Sequence, residues 1–200
     1  MNEPICLIDL GLGNLGSVTN MLARAGAQVQ RTSTPEALAG ANKVILPGVG
    51  SFDAMVQKLD AAGFRQPLLE HVLRGKTLLG ICLGMQLLAD GSDEGQLPGL
   101  GLIPGRVRRF LFKEHLAQLK VPHMGWNRVK PNHLHPLGRG LEEGARFYFV
   151  HSSSSLSRTD STMPFGSRFD ARAPSSRIRS ARPTRVSPYF LESTSLFIAS

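Results

Sequence analysis

The chain has 200 residues, of which 42% are apolar, and a formal net charge of +8. This length suits one domain or one domain with an appendage, and the apolar fraction is enough for a packed core. Residues 152–200 contain seven Arg, no Lys and three acidic residues, so a quarter of the chain carries half of the net charge. These Arg are scattered and lack interleaved aromatic residues, which argues against a nucleic-acid-binding module.

The cysteines and the N-terminus indicate the compartment. Cys6 and Cys82 are the only two cysteines, and each lies in its own apolar run, so neither a disulfide framework nor a zinc site is expected. His133 and His135 lack a third ligand, so no metal is expected there either. Residues 1–4 lack a basic leader, and no apolar run approaches the length of a membrane span. We therefore expect a cytoplasmic protein.

The first half of the chain alternates between predicted strands and helices. Apolar runs predict strands at 5–9, 28–30, 43–46 and 77–81. Helical spacing predicts helices from Leu15, Phe52 and Gln66, and a capping box at Ser33 and Glu36 predicts a short one. This alternation predicts an α/β fold with a doubly wound, mostly parallel sheet. Ligands bind beyond the carboxyl ends of such strands, where the turn at 47–50 and Cys82 fall.

The second half follows a different pattern. Met85, Leu87, Leu88 and Ala89 predict a helix after Cys82, and residues 91–101 read as a loop. More polar strands, expected to be antiparallel, are predicted at 106–112 and 121–129, and a strong strand at 146–150. From Ser152 onward the sequence is rich in Ser, Arg and Pro, and no helix or strand is predicted before 195–198. This composition favours disorder in much of the tail.

Cys82 lies in the pattern Gly80-x-Cys82-x-Gly84, between a predicted strand and a predicted helix. A nucleophile on such a sharp turn is held in a strained backbone conformation, and glycines two residues away avoid clashes around it. The positive end of the following helix favours the reactive thiolate. The structural alternative is a buried cysteine between two glycines that occur there by chance.

A competing motif, Gly11-x-Gly13-x-x-Gly16, follows the first strand and opens the first helix. This is the arrangement of a dinucleotide-binding turn, and Arg31 at the end of the second strand could meet a 2′-phosphate. Asp9 stands just before the first glycine, where its charge would repel a pyrophosphate. A structural or partner-contacting turn is therefore preferred over a nicotinamide-dependent oxidoreductase.

Five stretches together resemble one family: residues 8–15, 46–52, 80–86, 120–127 and 147–152. They are similar to the glutaminase subunits of imidazole glycerol phosphate synthases, which are class I (triad) glutamine amidotransferases of histidine biosynthesis. The resemblance runs from about Pro4 to Ser152, three quarters of the chain. The sharp strand-to-helix turn around Cys82, here called the elbow, resembles that of the amidotransferase superfamily as a whole. The stretch Pro122-His123-x-Gly125-Trp126-Asn127 narrows the resemblance to this subunit.

The resemblance implies a mechanism that needs no metal or organic cofactor, and it implies a partner. Cys82 would attack the side-chain amide of glutamine and form a thioester, while a histidine oriented by a glutamate moves protons. The Leu83 amide and an amide of the Val49–Gly50 turn would hold the oxyanion. The positions that match contacts to glutamine are Gln86, His151 and Ser152. Asn14 and Trp126 match the face that docks on a cyclase subunit, a (β/α)₈ barrel through which ammonia would pass to the nucleotide substrate.

The sequence departs from the family pattern after Ser152. The His-Pro-Glu stretch that carries the triad histidine and glutamate is absent, no histidine follows His151, and Glu192 is the only later glutamate. We therefore assign an amidotransferase domain to residues 1–152 and an atypical tail to 153–200. One hypothesis for the tail is a shifted reading frame, which resequencing of the gene would test.

Two functions of different classes stay open. The chain is either a glutaminase that supplies ammonia, or a catalytically impaired relative that keeps the nucleophile and lacks its acid–base partner. In both cases strands that the tail normally supplies would be missing, which predicts an exposed sheet edge.

Overall fold

The computed structural model describes residues 3–110, 121–129 and 140–157, with side chains in the last segment as far as Ser153. His133, His135, Glu192 and the predicted strand at 195–198 lie outside the described residues. In chain order the elements are β1 (Ile5–Ile8), α1 (Leu15–Arg24), β2 (Val29–Thr32), a 3₁₀ helix (Pro35–Leu38), β3 (Lys43–Gly48), α2 (Phe52–Ala61), α3 (Arg65–Leu73), β4 (Thr77–Cys82), α4 (Leu83–Gln86), β5 (Ala89–Ser92), β6 (Ile103–Arg109), β7 (His123–Arg128), β8 (Arg146–His151) and β9 (Ser153–Ser157).

The predicted parallel sheet is confirmed. Its four strands have the order β2-β1-β3-β4, and every neighbouring pair is parallel. The registers pair Leu46 with Gly80 and Gly48 with Cys82. The carboxyl ends of β3 and β4 therefore lie side by side, and the residues that follow each strand meet at one edge of the sheet.

The main core lies between this sheet and the helices α2 and α3. Phe52, Met55, Val56 and Leu59 form the face of α2 that its spacing predicted, and all four are buried. They pack in one cluster with Leu46 of β3 and Leu68 of α3. Burial of such side chains stabilises the fold by roughly 1.5–3 kcal/mol each. The end of β3 is thus packed firmly just before the turn at residues 49–50.

The strand β4 is apolar in sequence, but it is only partly buried. Its residues from Leu78 to Cys82 have intermediate exposure. Within the described sheet β4 is the edge strand, paired with β3 on one side only. The second side of β4 therefore has no strand partner among the described residues.

Two local predictions in the first half were wrong. The strand β3 continues through Pro47 to Gly48, since β1 pairs with it only at Val44 and Ile45 and beyond them β4 is its one paired neighbour among the described strands. The capping box at Ser33 does not form. Thr34 occupies the N-cap without a side-chain bond to the helix, and its own amide donates to Thr32 Oγ1 at 3.1 Å.

The second half forms two small sheets, with orders β5-β6-β9 and β7-β8. β7 pairs with β8 and β6 pairs with β9 in the expected antiparallel sense, whereas β6 pairs with β5 in parallel. The predicted helix through Leu88 and Ala89 is wrong, because Ile103 N–H donates to the Leu88 carbonyl and Gly101 N–H to the Ala89 carbonyl. That pairing ends α4 after one turn and makes β5 a strand.

The tail begins as a strand rather than as an unstructured segment. β9 pairs with β6 from Ser153 opposite Arg109 to Ser157 opposite Arg106. The prediction of no strand before residue 195 is therefore wrong. Backbone hydrogen bonds require no particular side chain, so a serine-rich sequence that lacks a strand pattern still completes this ladder.

The buried His71 on α3 makes stability depend on pH. Its Nε2 donates to the Thr77 carbonyl at 3.0 Å, and its Nδ1 is buried without a hydrogen-bond partner among the described residues. Burial lowers the pKa of His71, and the nearby Lys76 cation lowers it further, although the bond to Thr77 opposes this.

We predict that acid destabilises the fold through His71. The unfolded chain binds a proton near the ordinary pKa of about 6.5, whereas the folded chain does so only at lower pH. Stability is therefore retained above that value and is lost as the pH falls from it toward the lowered pKa. In His71→Gln, which keeps a donor for Thr77, the drop in melting temperature between neutral and acid pH should be smaller than in the parent chain. An equal drop in both proteins would contradict this prediction.

Candidate active site

Cys82 has an unusual backbone conformation at the junction of β4 and α4. Its φ is 55° and its ψ is −118°. It is the only residue other than glycine with a positive φ in the part of the chain that the structure describes. Such a conformation costs on the order of 1–3 kcal/mol and persists only where the surroundings enforce it. The predicted strand-to-helix elbow is therefore present around this thiol.

The two flanking glycines are required by space. A Cβ on Gly80 would lie 2.6 Å from Met85 Cα and 2.7 Å from the Gly84 carbonyl oxygen. A Cβ on Gly84 would overlap the Leu46 carbonyl oxygen of β3. The close approach is backbone to backbone, so no side-chain rotation could relieve it. The alternative of two chance glycines is excluded by these contacts.

The helix that follows Cys82 is shorter than the sequence suggests. α4 has four residues, so the partial charge at its N-terminus is that of a single turn. The amides of Leu83 and Gly84 at this turn still follow the thiol directly. What the elbow offers a developing negative charge is therefore local amide groups rather than a long helix dipole.

The turn after β3 lies beside the elbow. Gly48 is the register partner of Cys82, and a Cβ on Gly48 would lie 2.9 Å from the Gly84 nitrogen. Val49 follows with 43% of its surface exposed, and Gly50 has a φ of +106°, which favours glycine. The Val49–Gly50 turn and the Leu83 amide thus flank Cys82 as the sequence predicted, while their roles with an oxyanion stay proposals.

A hydrogen-bond network connects two of the residues predicted to contact glutamine. Gln86 Nε2 donates to Glu94 Oε2 at 3.2 Å, and Ser152 Oγ donates to Glu94 Oε1 at 2.7 Å. Ser92 Oγ, which is fully buried, donates to Gln86 Oε1 at 3.0 Å and accepts the Glu94 amide at 3.1 Å. The network spans from the elbow helix to the junction of β8 and β9.

Glu94 is the residue of this network that the sequence reasoning missed. The sequence predicts a loop at 91–101, and Glu94 was assigned to it without a role. Glu94 stands eight positions after Gln86. Its carboxylate accepts one bond on each oxygen from the network, and further lone pairs remain for a cationic donor. A negative charge with spare acceptor capacity therefore stands between Gln86 and Ser152.

His151 lies in a separate cluster with other rings. Its ring centroid is 4.9 Å from that of Phe110 and 5.3 Å from that of His123, both in edge-to-face geometry. Its Nδ1 donates to the Ser153 carbonyl at 3.2 Å. Burial lowers the pKa of His151 and the neighbouring His123 lowers it further, while the bond to Ser153 opposes this. His151 is therefore neutral at pH 7, and its predicted contact with glutamine stays a prediction.

The Gly11–Gly13 turn is occupied by groups of the chain itself. Asp9 Oδ1 accepts the Gly11 amide at 2.9 Å, and its Oδ2 accepts Arg31 Nη2 at 2.8 Å. The bond from Arg31 and the bond from Gly11 lower the pKa of Asp9. A carboxylate thus stands where a pyrophosphate would, and it already holds the arginine that a 2′-phosphate would need.

Trp126 is on the surface and does not belong to the hydrophobic core. It is 51% exposed, and Met124 on the same face of β7 is 58% exposed. The Trp126 ring contacts Tyr148 edge-on at 5.5 Å, and the Arg146 guanidinium lies 5.7 Å from its centroid. An ordered aromatic side chain on an exposed strand is typical of a protein-binding surface.

Asn14, the other residue predicted to face a partner, has a structural role of its own. Its Oδ1 caps α1 by accepting the Ser17 amide at 3.2 Å. The residue is exposed, so the cap leaves its surface accessible.

A family model decides the identity of the fold and site. Residues 10–119 match the SNO glutamine amidotransferase family. The chain belongs to the glutamine amidotransferases. The match includes β3, its turn, the elbow and Glu94, so the geometry described above is that of an amidotransferase. The predicted extent of the resemblance, three quarters of the chain, is confirmed by curated relatives that match 74% of it.

These relatives are named imidazole glycerol phosphate synthase subunit HisH. The protein of Bdellovibrio bacteriovorus is 50% identical over 149 residues, which cover 74% of this chain and 73% of that one. The protein of Gloeobacter violaceus is 46% identical and is covered to 65%, and HisH 2 of Pseudomonas aeruginosa is 48% identical and is covered to 72%.

Solved structures confirm the fold class. A crystal structure of a glutamine amidotransferase has a TM-score of 0.60 with 19% identity, covering 80% of this chain and 76% of that one. PurLQS from Thermotoga maritima has a TM-score of 0.58 with 18% identity, covering 80% and 72%. At these identities the likeness concerns the fold alone.

The described part of the chain has neither a cluster of metal-binding side chains nor a membrane-spanning helix. No group of three or more His, Cys, Asp or Glu in this part of the chain is placed to hold a metal ion. Within the same residues, no helix is both long and apolar enough to cross a bilayer.

We predict that Gly84→Ala strongly destabilises this amidotransferase chain, because the new methyl group would overlap the Leu46 carbonyl. The free energy of unfolding should fall by about 1–3 kcal/mol or more, as for other overpacked sites. Gly40→Ala is the matched control, since a Cβ there meets nothing within 4 Å. Urea unfolding should show a lower midpoint for the first variant only; equal midpoints would contradict the packing described.

Proposed function

We propose that this chain is the glutaminase subunit of an imidazole glycerol phosphate synthase in histidine biosynthesis. The observation that carries the proposal is the strained Cys82 elbow next to the Gln86–Glu94–Ser152 network. HisH relatives at 46–50% identity support the assignment. Glutamine is the substrate, and a second subunit uses the ammonia. We place the reaction in the cytoplasm, where thiols stay reduced.

The elbow suits nucleophilic attack on an amide. The Cys82 thiolate adds to the side-chain carbonyl carbon of glutamine, and the resulting oxyanion is held by the Leu83 amide and an amide of the Val49–Gly50 turn. The C–N bond then breaks, ammonia leaves with an added proton, and a γ-glutamyl thioester remains. Water hydrolyses the thioester to glutamate and restores the thiol. No cofactor takes part in any of these steps.

The network beside the elbow suits the amino-acid end of glutamine. The Glu94 carboxylate is complementary to an α-ammonium group, and its two bonds to Gln86 and Ser152 fix its orientation. Substrate would enter along the carboxyl edge of the sheet, with its side-chain amide toward Cys82. His151 lies at the end of β8, next to Ser152, and we propose that it lies near the same part of the bound glutamine.

Trp126 and Asn14 suit the docking face for the cyclase. The relatives are named as subunits of a synthase, which supports a complex with a second chain. Trp126, Met124 and the stacked Arg146 form an exposed aromatic and cationic patch on β7 and β8. We propose that this patch binds a (β/α)₈-barrel cyclase and that ammonia passes through the barrel. No nucleic acid takes part.

A second candidate function, binding of glutamine with little hydrolysis, is favoured by the missing triad residues. The chain contains no histidine after His151, and its one later glutamate is Glu192. Without a positioned histidine, the proton for ammonia and the activation of water depend on solvent. Loss of such a general acid–base group costs roughly 10²–10⁴-fold in rate.

We therefore predict little glutaminase activity from this chain, even when the cyclase subunit and its nucleotide ligand are present. Glutamate release should be close to that of Cys82→Ala, and added metal ions or nicotinamide cofactors should not raise it. A coupled glutamate assay of both proteins measures the difference. Robust, Cys82-dependent product formation would show that the chain holds an acid–base group which the family pattern does not reveal.

Binding to the cyclase is tested separately from catalysis. We predict that Trp126→Ala weakens the complex by about 30-fold or more, because interface tryptophans often contribute 2 kcal/mol or more. Leu73→Ala, an exposed apolar residue on α3, is the matched control and should leave affinity unchanged. Titration calorimetry with the cyclase measures both; equal affinities for the two variants would place the docking face elsewhere.

A further inference from the structure

The segment that carries Glu94 is also held by Asp53 of α2. Asp53 Oδ1 accepts the amides of Gln96 and Leu97, both at 2.9 Å, and its Oδ2 lies 3.0 Å from the Gln96 nitrogen. Asp53 belongs to the first turn of α2, which begins directly after the Val49–Gly50 turn. One carboxylate therefore joins the element that follows the oxyanion turn to the segment next to Glu94.

Gly95 shows how closely these two elements approach. A Cβ on Gly95 would overlap Asp53 Oδ1 and would lie 2.7 Å from Phe52 Cδ1. Gly95 has no positive φ, so the position is restricted by space rather than by backbone conformation. The residue immediately after Glu94 is thus pressed against the start of α2, and its amide neighbours are bound to the same carboxylate.

Arg106 holds the same segment from the second sheet. Its Nη2 donates to the Ser92 carbonyl at 2.6 Å and to the Gly95 carbonyl at 3.1 Å, while its Nε donates to Asp93 Oδ1 at 3.0 Å. Asp53 binds N–H groups of the segment and Arg106 binds its carbonyl groups. The two charged side chains thus bind different groups of one segment, and in sequence Glu94 lies between the Ser92 carbonyl held by Arg106 and the Gln96 amide held by Asp53.

We propose that Asp53 is a positioning residue for glutamine. It sets the separation between the Val49–Gly50 turn, which meets the reacting amide, and Glu94, which meets the ammonium group. This inference rests on the proposed function, because it assumes that glutamine binds between these two features. Asp53 itself does not touch the substrate. Its loss would let residues 95–97 move away from α2 and would displace Glu94, while the Cys82 elbow keeps its own packing.

The test uses two alkylating reagents that report on different features. The chloromethyl ketone analogue of L-glutamine needs both the glutamine site and Cys82; its C–Cl bond breaks and a C–S bond forms, with chloride as the leaving group. Chloroacetamide undergoes the same displacement and needs only the thiol. Neither reaction needs the triad histidine, so the missing triad does not affect the readout. Intact-mass spectrometry gives the half-saturation concentration and the limiting rate for each variant.

In Asp53→Asn, which keeps one acceptor oxygen, the half-saturation concentration for the glutamine analogue should rise about tenfold, and in Asp53→Ala up to about a hundredfold. The rate with chloroacetamide should stay within about twofold of the parent chain, because the elbow is unchanged. Asp90→Asn is the matched control, since the Asp90 carboxylate accepts the Gly105 amide rather than those of Gln96 and Leu97. It should not alter labelling by either reagent.

The outcomes separate the two proposals. Saturable labelling of the parent chain with unchanged half-saturation in both Asp53 variants would overturn the positioning role and leave the glutamine site intact. Labelling of the parent chain that does not saturate, or that L-glutamine does not slow, would overturn the glutamine site itself. Equal losses with both reagents would show that Asp53 supports the elbow as a whole, which also contradicts the proposal. Circular dichroism confirms that each variant is folded.

Discussion

The absence of a side chain at Gly84 allows the backbone of the elbow to lie against the Leu46 carbonyl of β3. A methyl group there would overlap that carbonyl, and one on Gly80 would meet the backbone of Met85. Because this contact is between main chains, it fixes Cys82 relative to β3 without depending on a rotamer. β3 in turn ends at Gly48, beside Cys82, and leads into the Val49–Gly50 turn. The thiol and the turn thus share one rigid support.

The Gln86–Glu94–Ser152 network depends on a different part of the chain. Glu94 lies between β5 and β6 of one small sheet, and Ser152 lies between β8 and β9, where the chain passes from one small sheet to the other. Their side chains are hydrogen-bonded, and the Phe110 amide after β6 donates to the Ser152 carbonyl at 3.0 Å. Asp53 and Arg106 then attach the Glu94 segment to both halves. Cys82 is therefore positioned by close packing, whereas the Gln86–Glu94–Ser152 network is positioned by hydrogen bonds between elements far apart in sequence.

This difference explains what the sequence could predict. The parallel sheet, the α2 face of Phe52 to Leu59 and the Cys82 elbow follow from local periodicity and from glycines at fixed spacing, and all three are present. The strand β5 depends on its pairing with β6, and the position of Glu94 depends on its bonds to Gln86 and Ser152; no local pattern reveals either. Asp53 reads as an ordinary first-turn acid until Gln96 and Leu97 are placed beside it. The Ser153–Ser157 strand was missed because its ladder uses backbone groups only.

The central claim is that Cys82 lies in a site shaped for glutamine, whether or not hydrolysis follows. The most direct measurement is the rate at which iodoacetamide alkylates Cys82, followed by peptide mass spectrometry with and without L-glutamine. If Cys82 lies in a glutamine site, L-glutamine slows its alkylation in a saturable way and D-glutamine does not. The buried Cys6 should react slowly in every case. Alkylation of Cys82 at the same rate with and without L-glutamine would contradict the account.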